Sequence, residues 1–214
     1  MTSLKKLFAV ALAAATLSFS NAAFAQEAPD ALVKRISQEV INSAKGDKDI
    51  QGGNQKQILE LVEQKIIPHV DFQRMTQLAA GRHWREATPE QQKQLIAAFR
   101  DLLVYTYSGA LTQIGNQEIS FKPLRASPDD TEVEVRSEVA QGGSAQPIQL
   151  AYRMEKQKDG WKIYDVNVLG AWLVEAYKNT FNSEIGKSGI DGLIKTLQER
   201  NKRLANTVGK TGKS

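Results

Sequence analysis

The chain has 214 residues, no cysteine and a formal net charge of +4 at pH 7. The absence of cysteine excludes a disulfide-stapled fold, a thiolate metal site and a cysteine nucleophile. Apolar residues make up 41% and charged residues 24% of the chain, which is ordinary for a globular domain and excludes collagen-like and low-complexity classes. We therefore expect a domain that is held together by an apolar core.

The N-terminal segment has the three parts of a secretory signal peptide. Two early lysines supply the positive charge, residues 7–17 form a short apolar stretch, and Ala23-Phe24-Ala25 gives the small-x-small cleavage pattern. A membrane anchor is the alternative, but a spanning helix needs about 20 apolar residues, which is more than this stretch contains. We predict that residues 1–25 are removed during export and that the mature chain begins at Gln26.

The positive charge is concentrated at the C-terminal end of the chain. The last 20 residues hold six lysines and arginines but one acidic residue, Glu199. A nucleic-acid-binding domain needs a basic face on its folded surface, so a basic tail argues against that function. We predict that residues 201–214 form a basic, disordered tail, which could contact anionic lipid or an acidic partner.

The front half of the mature chain shows the 3.6-residue apolar periodicity of helices. Asp30 and Asp71 are placed to cap two of these helices, and Thr88, Pro89 and Gln91 supply an N-cap, a first-turn proline and a capping box. Glycines and prolines between the apolar segments mark where the helices end. We expect four helices, over residues 30–46, 58–66, 72–80 and 89–114.

After residue 118 the apolar pattern changes to a period of two, which is typical of strands with one covered face. The tripeptide Lys158-Asp159-Gly160 indicates a hairpin between the last two strands of this region. Helical periodicity returns after Gly170, in two further segments. These elements predict an α+β fold, in which an antiparallel, twisted sheet of four to five strands is wrapped by about six helices.

Few residues of this sequence could support catalysis or metal binding. His69 and His83 have no partner at the spacing of metal ligands, and no Gly-x-Ser-x-Gly elbow, phosphate-binding loop or dinucleotide fingerprint occurs. Asp165, beside Tyr164, could serve as a buried general base in an enzyme that acts on a hydrophobic substrate. Alternatively, it could lie on the solvent face or pair with an arginine such as Arg153. We favour this second, structural interpretation and predict no catalytic and no metal-binding residue.

Large apolar and aromatic side chains of the strands and helices point towards one common space. Periodicity identifies the inward face of each element, but it does not distinguish a packed core from a lined cavity. Both interpretations remain open from the residues alone. A solid core would suit an exported interaction module, whereas a cavity would suit a protein that holds an apolar ligand.

Three ordered sets of motifs resemble those of the toluene-tolerance/MlaC family. The matching segments are His69-Val70-Asp71-Phe72 with Met75, Gly81-Arg82-His83-Trp84, Ala87-Thr88-Pro89-Glu90-Gln91, Tyr152-Arg153-Met154, residues 160–181, and Gly189-Ile190-Asp191-Gly192-Leu193. The likeness extends over about residues 30–200 of this chain. One departure is Trp172, because the family often has a small serine there; a ring at that position could narrow the mouth of a cavity.

The resemblance implies a soluble periplasmic phospholipid carrier with no catalytic activity and no cofactor, the bound phospholipid being its cargo. Members of the family move lipid between an outer-membrane lipoprotein–porin complex and an inner-membrane ABC transporter that has an MCE-domain subunit. This transport maintains the lipid asymmetry of the outer membrane. For this chain the resemblance implies a Gram-negative periplasmic location, a monomer, and one phospholipid-binding domain over residues 26–200.

The resemblance also implies that the common apolar space is a cavity that encloses the acyl tails of the lipid, while the headgroup stays near solvent. The choice between a core and a cavity is thus made by the family likeness and not by the residue pattern. The side chains that we expect to line this cavity are Val70, Phe72, Met75, Phe99, Leu103, Ile148, Leu150, Tyr152, Met154, Val166, Val168, Trp172, Leu173, Tyr177 and Phe181.

Overall fold

The computed structural model describes residues 26–114, 117–127, 129–140 and 146–211, with the backbone alone over 207–211. The predicted signal peptide lies outside these ranges and stays a prediction. Within the described ranges, no helix combines the length and the apolar content that are needed to cross a membrane.

The front half of the chain is helical, as its periodicity predicts. Two helices begin as predicted, one capped by the carboxylate of Asp71 and the other by the capping box at Thr88. The prediction for Asp30 is wrong, because Pro29 takes the first helical position and Ala28 precedes it without a side-chain cap. The helices are α1 (Pro29–Gly46), α2 (Lys48–Gln51), α3 (Gln55–Lys65), α4 (Phe72–Ala80) and α5 (Pro89–Tyr107), with 3-10 turns at Ile67–His69, Gly81–Arg85 and Ser108–Gln113.

The described strands form one antiparallel sheet, in which each strand pairs with its neighbour in the chain. The pairing of the third and fourth strands shifts between Arg153 and Met154, and such an irregularity re-aims the side chains near it. A tight turn at Leu169 and Gly170, both with positive φ, leads into a two-residue fifth strand. The strands are β1 (Ile119–Phe121), β2 (Glu132–Val139), β3 (Ile148–Gln157), β4 (Gly160–Val168) and β5 (Ala171–Trp172).

The two predicted C-terminal helical segments both occur, within α6 (Leu173–Thr211), and a non-helical backbone at Gly189, where φ is 71°, separates them. This helix continues past the predicted end of the domain. Asn201 is buried, and its side-chain amide donates a hydrogen bond to the carbonyl oxygen of Ala98 at 2.8 Å. The segment for which a disordered tail was predicted continues this helix to Thr211, and Asn201 and Leu204 on it are packed against the rest of the domain.

The apolar side chains form two cores that meet along one seam. α4, α5 and α6 enclose the first core, around Phe99 and Phe181, while α1, α2 and α3 pack on the sheet to form the second core, which includes Met154. Val70 and Val166 pack against both cores. Because these two residues are partly buried rather than enclosed, the seam is where the fold leaves space for a cavity.

Candidate functional site: an apolar cavity in the seam between the two cores

A cavity of about 240 Å³ lies at this seam, between α3, the end of α5, and the junction of β4 with α6. Its lining is apolar except for the hydroxyl groups of Tyr107 and Ser108. An apolar cavity with few polar groups suits an apolar ligand and offers little directional recognition. The lining residues are Val62, Ile66, Ile67, Val70, Phe72, Met75, Leu103, Val104, Tyr107, Ser108, Leu111, Val166, Val168 and Leu173.

Helical periodicity explains how α5 and the following 3-10 turn build one wall of the cavity. Leu103, Tyr107 and Leu111 recur every four residues, so they lie on one face of the helical segment. The side chain of Tyr107 lines the cavity and is also 40% exposed. The cavity therefore reaches the protein surface beside this ring.

Asp165 fixes the start of α6 to the sheet, next to the cavity wall. One carboxylate oxygen accepts hydrogen bonds from the backbone N–H groups of Val166 at 2.9 Å and Val174 at 3.0 Å. The other oxygen lies 3.5 Å from the Arg153 guanidinium. Since Leu173 lines the cavity and directly precedes Val174, this buried carboxylate positions part of the wall, and Asp165 itself is not among the lining residues.

The two histidines take part in surface contacts rather than in a metal site. The His83 Nδ1 atom lies 2.7 Å from a Glu86 carboxylate oxygen. Partial burial lowers the pKa of His69, and the charges of Arg35 and Lys162 lower it further. In the described part of the chain, no group of three or more histidine, cysteine, aspartate or glutamate side chains is arranged to hold a metal ion.

Residues 34–199 match the model of the MlaC protein family. The chain belongs to the MlaC family. It is 23% identical over 182 residues to the intermembrane phospholipid transport system binding protein MlaC of Haemophilus influenzae, a match that covers 84% of this chain and 85% of that protein. It is 26% identical over 175 residues to the toluene tolerance protein ttg2D of Pseudomonas putida, covering 81% of this chain and 80% of that protein.

A solved structure with the same fold has a phospholipid bound. It is the phospholipid-binding protein from Ralstonia solanacearum, in complex with a phospholipid, and it is 48% identical to this chain with a TM-score of 0.77. The match covers 82% of this chain and 98% of that one. The α+β architecture of helices around an antiparallel sheet is therefore shared with a protein whose structure contains a phospholipid.

The structure of this MlaC-family chain brings seven of the fifteen expected lining residues together around the cavity. They come from four separate parts of the chain. The seven residues are Val70, Phe72, Met75, Leu103, Val166, Val168 and Leu173.

Four of the other eight residues fill the two cores. The ring of Phe99 lies 5.0 Å, centroid to centroid, from those of Tyr177 and Phe181, in edge-to-face contacts. Phe99 and Phe181 are fully buried, and so is Met154, which lies in the second core. These four side chains do not line the cavity in this structure, because neighbouring side chains pack around them, and their contact with a ligand stays a prediction.

The remaining four residues belong to the sheet and do not line the cavity, although Leu150 and Tyr152 pair across the strands with the lining residues Val168 and Val166. Leu150 and Trp172 line a polar groove on the sheet, and the Arg153 guanidinium stacks 3.8 Å from the centroid of the Trp172 ring. Tyr152 packs against the second core, and Ile148 is half-buried at the far end of β3. The bulky ring at position 172 consequently does not narrow the cavity.

Sequence reasoning missed seven lining residues, most of them on α3 and near the end of α5. The periodicity identified helices in these segments, but periodicity does not show which side of a helix borders a cavity. Extending the face of Leu103 by one and two helical turns would have identified Tyr107 and Leu111. The missed residues are Val62, Ile66, Ile67, Val104, Tyr107, Ser108 and Leu111.

We expect Asp165→Asn to remove a pH-dependent part of the stability. Burial raises the pKa of the Asp165 carboxyl group above its ordinary 3.8, so the folded chain keeps this proton to higher pH than the unfolded chain does. As the pH rises from the ordinary pKa of 3.8 to the raised pKa of the folded chain, the wild type should therefore lose stability relative to the variant. Urea titrations of both proteins between acidic and neutral pH measure the difference between their free energies of unfolding. A difference that rises with pH would contradict a raised pKa for Asp165.

Proposed function

We propose that this chain is a periplasmic phospholipid carrier that encloses acyl tails in the cavity at the seam. The observation that carries the proposal is an almost wholly apolar cavity in a chain that is 48% identical to a protein solved with a phospholipid. The cavity lies where two separate cores meet, so acyl tails can enter without disrupting either core.

The energetics of acyl chains explain why such a carrier is needed. Two C16 tails contain about 30 methylene groups, and each gains about 0.8 kcal/mol when it leaves water, a total on the order of 25 kcal/mol. Free diffusion of a phospholipid through an aqueous compartment is negligible at that cost. A carrier must therefore remove the tails from water during the whole passage, which an enclosed apolar cavity does.

The cavity must widen when it is loaded. Its volume of about 240 Å³ is smaller than the roughly 300–1,000 Å³ of sites for drug-sized ligands, and a two-tailed lipid is larger than such ligands. The partly buried Val70 and Val166, which pack against both cores, can shift without opening either one, and the flexible Met75 side chain can adjust its shape at the wall.

The proposed carrier shuttles lipid between an outer-membrane lipoprotein–porin complex and an inner-membrane ABC transporter with an MCE-domain subunit, and so maintains outer-membrane lipid asymmetry. The name of the Haemophilus influenzae relative, a binding protein of an intermembrane phospholipid transport system, supports this role. The predicted signal peptide supports export to the periplasm. We propose that the carrier acts as a monomer and without a cofactor.

The proposed function does not require a catalytic group. Asp165 was the best candidate for a general base, but its carboxylate is engaged by two backbone N–H groups and by Arg153. It holds α6 against β4 instead of facing the cavity. An Asp165→Asn variant should therefore still bind and deliver phospholipid, because an amide oxygen can accept the same two hydrogen bonds; loss of lipid turnover with retained binding would indicate an enzyme.

Native mass spectrometry of the mature protein, expressed in a bacterial periplasm, tests the proposal. We expect a mass increment that corresponds to one diacyl phospholipid per chain, and solvent extraction should recover that lipid. A lipid-free mass that does not change after incubation with phospholipid vesicles would overturn the carrier function. That result would favour an exported interaction module with a closed core.

A further inference from the structure

A row of side chains leads from the cavity to the surface along α6. Leu173 lines the cavity, and Tyr177 lies one helical turn later on the same face. The ring of Tyr177 is half-buried against Phe99. Tyr107, on α5, lines the cavity and is partly exposed. Two phenol groups therefore occupy the boundary between the apolar cavity and solvent.

Arg200 is on the cavity side of the packed pair formed by α5 and the C-terminal part of α6. These two segments run side by side, with Asn201 of α6 bonded to Ala98 of α5. A groove on one side of this contact contains Gln198 and Lys202. Two residues along a helix correspond to a rotation of about 200°, so Arg200 projects from the side opposite to Lys202. Arg200 therefore projects from the side of this helix pair on which α5 lines the cavity.

The charge of Arg200 also acts on the Tyr107 phenol, which agrees with its place on this side of the helix pair. Partial burial raises the pKa of the Tyr107 phenol and the neighbouring Tyr177 raises it further, whereas the positive charge of Arg200 lowers it. Arg200 is exposed, and no carboxylate in the described residues forms an ion pair with it. The cavity opening therefore has an unpaired cation beside two hydroxyl donors.

We propose that Arg200, assisted by the hydroxyl groups of Tyr107 and Tyr177, binds the phosphodiester of the phospholipid whose tails occupy the cavity. This inference rests on the proposed carrier function and adds a specificity determinant to it. A guanidinium group presents several N–H donors in a fork that matches two phosphate oxygens, and phenol groups donate to the remaining ones. The phosphodiester is common to phospholipids, so the site selects for phosphate while it tolerates different headgroups.

A comparison of two lipids with the same tails tests this site. Delipidated protein is incubated with mixed vesicles of dioleoylphosphatidylglycerol and dioleoylglycerol, and the ratio of the two lipids bound is measured after gel filtration and extraction. We expect the wild type to favour the phosphate-bearing lipid and Arg200→Gln to reduce this ratio about 10-fold, as expected when one charge-assisted contact is lost. Lys202→Gln is the matched control, because it removes the same charge from the opposite side of the helix, and it should leave the ratio unchanged.

The outcomes separate this site from the carrier function. An unchanged ratio in Arg200→Gln would overturn the phosphate site, while the proposed function would stand as long as lipid is still bound. An equal reduction by Arg200→Gln and Lys202→Gln would also overturn it, because it would show general attraction of a basic helix to an anionic vesicle surface. Failure of the wild type to take up either lipid would overturn the proposed function itself.

Discussion

Replacement of Val168 with glutamate should abolish stable binding of a diacyl phospholipid. Val168 is at the end of β4, lines the cavity and is not part of either fully buried core, so the variant should fold. A carboxylate in the wall would lose its water when acyl tails enter, and the unpaired charge would oppose loading. We expect the affinity for phospholipid to fall about 100-fold or more, measured as lipid retained after gel filtration.

Gln149→Glu is the matched control for this experiment. Gln149 is exposed on β3 and lines the polar groove on the sheet, so it receives the same charge away from the cavity. This variant should bind lipid as the wild type does. If Val168→Glu is folded, as judged by its circular dichroism and urea midpoint, and still retains lipid, the tails do not pass Val168 and the proposed cavity wall is misplaced.

Truncation of Phe181 should cause a large loss of stability without a specific loss of lipid binding. Its ring is fully buried and makes an edge-to-face contact with Phe99 in the core between α4, α5 and α6. We expect Phe181→Ala to lower the free energy of unfolding by about 3–5 kcal/mol, because the substitution leaves a cavity that close-packed neighbours fill only in part. Urea unfolding of the lipid-free protein measures this change.

Phe181→Leu provides the comparison for the truncation. Leucine keeps most of the apolar volume, so this variant should lose less than about 2 kcal/mol of unfolding free energy. A loss below about 1 kcal/mol for Phe181→Ala would show that the ring borders empty space, as a cavity-lining residue would. That result would indicate that Phe181 lines the cavity, as the family resemblance implies.

Local signals in the sequence predicted several elements because the interactions that form them are short-range. Asp71 and the capping box at Thr88 bond to backbone groups within their own first helical turn, and the sequence alone predicts both. The hairpin at Gly160 was predicted for the same reason, since its turn is specified by adjacent residues. Asp30 was misassigned because Pro29 competes for the same helix start.

The sequence by itself determined the α+β class, the inward faces of the main elements and, through ordered motifs, membership of the MlaC family. It did not determine which inward residues surround empty space. Phe99 and Leu103 lie one helical turn apart on the same face of α5, yet Phe99 is enclosed by α6 whereas Leu103 lines the cavity. The tertiary structure made this distinction, because a cavity depends on where two packed cores leave space along their seam, and that is set by contacts between residues far apart in the chain. Long-range packing also acts on the segment after position 200, where Asn201 of α6 bonds to Ala98 of α5.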